Sequence, residues 1–85
     1  MRRNGTVAAM NPNEAMVAIA TKDDGNTIIE LLSEFELEVG DEITWENGYG
    51  LGPEIYMNVT KGIRKEVYVQ NHAVSNANLR QQLLF

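Results

Sequence analysis

In the stretch "AMVAIAT", Val17 and Ile19 alternate with Met16, Ala18 and Ala20, and a period of two marks a strand with one face in a core. The turn formers of "KDDGN" follow. "TIIELL" then places Ile29 and Leu31 on one face, so a hairpin about Asp24-Gly25 is predicted. Further on, "EFELEVGDEITW" alternates Phe35, Leu37 and Val39 with glutamates and breaks at Gly40-Asp41. It resumes with Ile43 and Trp45 facing one way, where another strand begins. Glycines and a proline make "ENGYGLGP" a loop, and "EIYMNVT" after it puts Ile55, Met57 and Val59 on one face. Beyond a turn at Lys61-Gly62, Val67 and Val69 alternate with Tyr68. Inward Val7, Val17, Ile19, Ile29, Ile43 and Val59 are expected to share one core.

The period changes in the tail, where Ser75 is the expected N-cap and Leu79 and Leu83 lie four residues apart, as on one side of a short amphipathic helix ending near Phe85. A helix of that length is marginal alone, so it is expected to dock. Short strands with glycine-rich turns predict an all-β fold, a small five- to six-stranded barrel of the OB type, because closure removes exposed edges. One domain is expected over 1–85, with the barrel over 5–70 and a helical extension over 73–85.

Length and composition narrow the picture further. With 85 residues, 44% hydrophobic and 22% charged, the chain suits one small folded domain. It has no cysteine, so packing must do the work of disulfides, and a cytoplasmic location is allowed. The N-terminal arginines precede no long apolar run, so neither a secretion signal nor a membrane span is expected. The net charge is −5, and from Asp23 to Thr60 there are ten acidic residues and no Lys or Arg. Such a balance opposes strong general affinity for nucleic acid. His72 is the only histidine and no serine stands in a nucleophile context, so no catalytic residue, cofactor or metal site is expected. The Asp23–Asn26 run lacks the spacing and final glutamate of a calcium loop and reads as a turn.

Gly5, Thr6, Val7, Asn11 and Ile19, followed by Leu37, Gly40, Ile43, Trp45, Gly52, Pro53, Asn58 and Val59, stand in an order and spacing that resembles the cold-shock domain. That family is a five-stranded OB-type barrel whose first strands commonly read G-T-V-K-W-F-N and K-G-F-G-F-I. The resemblance covers about residues 5–60 and implies single-strand binding through outward aromatics and nearby lysines. Ala8, Ala9 and Met10 stand where the family has lysine, tryptophan and phenylalanine, and Met16 and Ala18 replace two phenylalanines. Ile28 and Glu30 take the place of phenylalanine and histidine, and Glu14 stands where a lysine is frequent. Losing stacking platforms at about 1–3 kcal/mol per base removes the family's mode of binding.

The frame would leave Met10, Met16, Ala18 and Ile28 as an apolar face, to be covered by the tail or used for a protein partner or self-association. The expected function is therefore a non-catalytic protein-interaction or regulatory module. The alternative is weak single-stranded RNA or DNA binding through a relocated basic patch of Arg2, Arg3, Lys61, Arg64 and Lys65, with Tyr56 and Tyr68 as substitute stacking groups.

Overall fold

The computed structural model describes residues 2–85. Six strands, β1 (Arg3–Asn11), β2 (Met16–Thr21), β3 (Asn26–Leu31), β4 (Glu42–Trp45), β5 (Gly52–Asn58) and β6 (Ile63–Val74), precede a 3-10 turn (Asn76–Asn78) and one short helix, α1 (Leu79–Gln82). They close in the order β1-β2-β3-β6-β5-β4, and every pairing is antiparallel. Two meanders thus join at β1/β4 and β3/β6, and no strand is left with a free edge. The result is the all-β barrel with a short C-terminal helix that alternation predicted, compatible with an OB-like class. The basic segment after Lys61 supplies its longest strand.

Two glycines permit the closure. A Cβ on Gly5 would lie 2.5 Å from the Ala20 carbonyl oxygen, so only glycine lets β1 approach β2 this closely there. Gly25 turns the β2–β3 hairpin at φ +63°, and its Cβ would meet the Val74 oxygen at 2.8 Å.

Val7, Val17, Ile19, Ile29 and Ile43 share the barrel interior with Trp45, Tyr56, Val67 and Val69. Val59 does not join them: it is 52% exposed, and β5 turns its other face inward. The reason lies in what the opposite face supplies. Tyr56 stacks on Trp45 with ring centroids 4.5 Å apart and planes within 2°, a large buried contact. Buried Asn58 donates to the Glu36 carbonyl and to Asp41 Oδ2, while its Oδ1 accepts from the Lys61 amide. The alternating segment before Gly40 also differs from expectation, since no strand forms over 32–39. Phe35 and Leu37 enter the core while Val39 is exposed. Side chains satisfy part of this backbone instead: besides the Asn58 bond, Asp41 Oδ2 accepts from the Glu38 amide.

Beneath the tail is a second apolar layer. Met16, Ala18 and Ile28, on the outer faces of β2 and β3, pack with Val74 and Leu83, and Leu79 lies against them. These two strands are therefore buried on both faces. Helix α1 covers only four residues and Ser75 makes no side-chain cap bond, so the tail is held by contacts and not by its own helicity.

Candidate functional site: an apolar groove at one end of the barrel

The face formed by Met10, Met16, Ala18 and Ile28 does not exist as a single open surface. Met16, Ala18 and Ile28 are at most 5% exposed. Met10 departs from them because the β1–β2 register shifts between Val7 and Ala9, which brings Met10 opposite inward Val17 and Ala9 opposite Ala18. One extra residue in a strand reverses the side on which the following side chains lie. Met10 accordingly packs against the barrel interior, and Ala9 joins the layer beneath the tail.

That shift creates a different feature. The chain leaves β1 through a turn at 12–15, with Ala15 at φ 56°, and the Ala15 carbonyl accepts the Leu31 amide at 2.8 Å. Residues 32–35 leave β3 across the same end of the barrel. Between them is a groove of about 400 Å³ lined mainly by Met10, Pro12, Met16, Leu31, Leu32 and Phe35, with Glu34 among the lining residues. Leu32 is half exposed beside it. Methionines suit a surface that must adapt to another shape. Sequence reading found Met10 and Met16 but missed their partners. The available signal was the adjacent pair Leu31-Leu32, since two successive apolar residues at a strand end cannot both face inward.

The opposite end of the barrel is closed by a polar latch. Tyr49 Oη donates to Asp24 Oδ2 at 2.6 Å, and the Arg3 guanidinium lies 4.4 Å from the Tyr49 ring centroid with Nη1 3.5 Å from the same carboxylate. The bond to Asp24 raises the Tyr49 pKa. His72 Nε2 donates to the Gly50 carbonyl at 3.0 Å, and its Nδ1 is hydrogen-bonded with Thr27 Oγ1 at 2.9 Å. The Tyr49–Asp24 and His72–Gly50 bonds pin the 46–51 loop to the barrel. Tyr56 lies within, its hydroxyl without a partner, and burial raises its pKa.

The proposed nucleic-acid residues are dispersed. Tyr56 is interior and unavailable for stacking, whereas Tyr68 is exposed. Arg3 is committed to the latch. Lys61 pairs with Asp41 and Glu38 at 3.1 and 3.2 Å. Burial opposes the Lys61 charge, but the bonds to these carboxylates outweigh it and raise its pKa. Asp41 is shifted down, chiefly by the Asn58 amide, with burial opposing and Lys61 adding to the effect. Arg2 and Arg64 do converge, on an outer groove of about 450 Å³, yet Glu46 and Glu54 line it too and Glu46 already pairs with Arg2 at 2.9 Å. Lys65 is exposed on β6. Among the described residues no group of three or more His, Asp or Glu is placed to hold a metal ion, and no helix is long and apolar enough to cross a membrane.

Comparison of the chain with protein-family models, curated proteins and solved structures finds no match.

Proposed function

We propose that this chain is a non-catalytic protein-interaction module whose contact surface is the groove between the 12–15 turn and residues 32–35. The carrying observation is that groove itself: an apolar concavity beside a half-exposed leucine, left open while the chain's own tail covers the other outward apolar residues of β2 and β3. Uncovered apolar concavities mark contact sites for proteins. The resemblance of residues 5–60 to the cold-shock domain supports a scaffold related to that family, used without its stacking residues. A cytoplasmic location fits the same reading, because a domain without cysteine needs no oxidising compartment.

Single-stranded nucleic acid is the weaker reading. Its basic residues are mostly paired with carboxylates, and Tyr68 alone remains exposed of the two tyrosines offered for stacking.

A photo-crosslinking amino acid placed at Leu32 tests the module, with the same group at Val59 as control, because the two positions are 51% and 52% exposed. The expected result is a discrete protein adduct from position 32 alone, competed by unlabelled wild-type chain and not by Leu32→Asp. Equal labelling from both positions overturns the assignment.

A further inference from the structure

We infer that the segment received by this groove carries an apolar side chain flanked by lysine or arginine. The inference rests on the groove reading and adds the chemistry of its occupant. Every element that frames the groove comes from two stretches, residues 4–21 and 23–60, and neither contains a Lys or Arg. Glu34 lines the groove, Glu36 follows it exposed, and Glu14 lies in the bordering turn. An adjoining depression shares Met16 and is lined by Glu14 and Glu30.

These charges are not internally compensated. The ion pairs of the described residues engage Asp24, Glu38, Asp41 and Glu46, while Glu14, Glu34 and Glu36 have no cationic side chain within 4.0 Å. Two neighbouring amides are already engaged: that of Asn11 donates to the Leu83 carbonyl at 2.8 Å, and that of Gln70 donates to Glu30 at 3.0 Å. An apolar slot with a negative rim admits an apolar anchor and attracts cationic flanks, and it repels acidic segments and polyanions by the same field. Because the carboxylates are at the surface, the attraction is screened by salt while the apolar contact is not.

Selection from a phage-displayed library of random short peptides on the immobilised full chain, with recovered peptides assayed by fluorescence anisotropy, tests the proposal. Two variants at exposed positions serve as controls: Leu32→Asp, and the triple change Glu14→Gln, Glu34→Gln, Glu36→Gln. The expected peptides join an aromatic or aliphatic residue to neighbouring Lys or Arg and no longer bind Leu32→Asp. The triple variant binds them about threefold or more weakly at low salt, a difference that shrinks as salt rises. Groove-dependent peptides with neutral or acidic flanks overturn the basic occupant but leave the groove reading standing. Peptides whose binding survives Leu32→Asp, or no enrichment at all, contradict the groove reading itself.

Discussion

The Asn11 side-chain amide donates to the Leu83 carbonyl at 2.8 Å across 72 positions of sequence, and both residues are buried. This bond fastens the tail over Met16, Ala18 and Ile28. Asn11→Ala leaves a buried carbonyl unsatisfied and is expected to cost about 1–3 kcal/mol. Leu83→Ala is expected to cost about 2 kcal/mol or more. Deleting residues 75–85 uncovers the whole layer and should lower the melting temperature or drive self-association, read by thermal denaturation and sedimentation. A truncated chain with unchanged stability and mass would show that the tail contact is dispensable.

Tyr56 gives a prediction in alkali. Its hydroxyl is buried without a partner and burial holds the pKa above the ordinary tyrosine value. The folded state therefore keeps a proton that the unfolded chain releases above about pH 10, so stability present below that pH falls as pH rises through it. Tyr56→Phe removes this contribution and also an unsatisfied group, so it should be close to neutral at pH 7 and flatten the alkaline loss. Tyr49, shifted the same way by Asp24, preserves part of the slope. Urea midpoints on both sides of pH 10 decide it, and an unchanged slope in Tyr56→Phe would refute the assignment.

Asp41 acts in acid with the opposite sign. Its folded pKa is depressed by Asn58 and Lys61, so it contributes stability above the unfolded carboxylate value of about 4, lost as pH falls through the folded value. Asp41→Asn should be less stable at neutral pH, and its stability should fall less steeply in acid. Denaturation curves from pH 6 down to about 2 check this. An acid slope equal to that of the wild type would place the titrating group elsewhere.

The strands β2, β3 and β4 were legible because each has apolar residues on one alternating face and turn formers at its ends. β5 was legible as a strand but not in orientation. Ile55, Met57 and Val59 compete with Tyr56 and Asn58, and the decision came from stacking on Trp45 and from a hydrogen-bonding hub, neither of which a hydrophobic pattern records. Residues 34–39 alternate yet form no strand, since Phe35 and Leu37 fill the core from an irregular segment. The groove was half legible: Met10 and Met16 stood out, but the bulge near Ala8 that separates Met10 from the tail-covered layer has no glycine or proline to announce it.

Nucleic acid provides a discriminating negative. With Arg2, Arg3 and Lys61 paired, few phosphate contacts remain, so single-stranded oligonucleotides should bind at micromolar affinity or weaker near physiological salt and release steeply as salt rises. Arg64→Ala should weaken even that residual binding. Tight, salt-resistant binding that depends on Tyr68 would instead establish a relocated single-strand site.

The most direct test is an amide chemical-shift map of the ¹⁵N-labelled full chain titrated with the tightest peptide recovered from the library. Shifts should concentrate on Met10, Ala15, Leu31, Leu32 and Glu34, leave Arg64–Glu66, which pair with β5, unmoved, and vanish in Leu32→Asp. Shifts confined to the outer face of β6 or to residues 79–85, with the groove resonances unmoved, would contradict a protein-binding site at this end of the barrel.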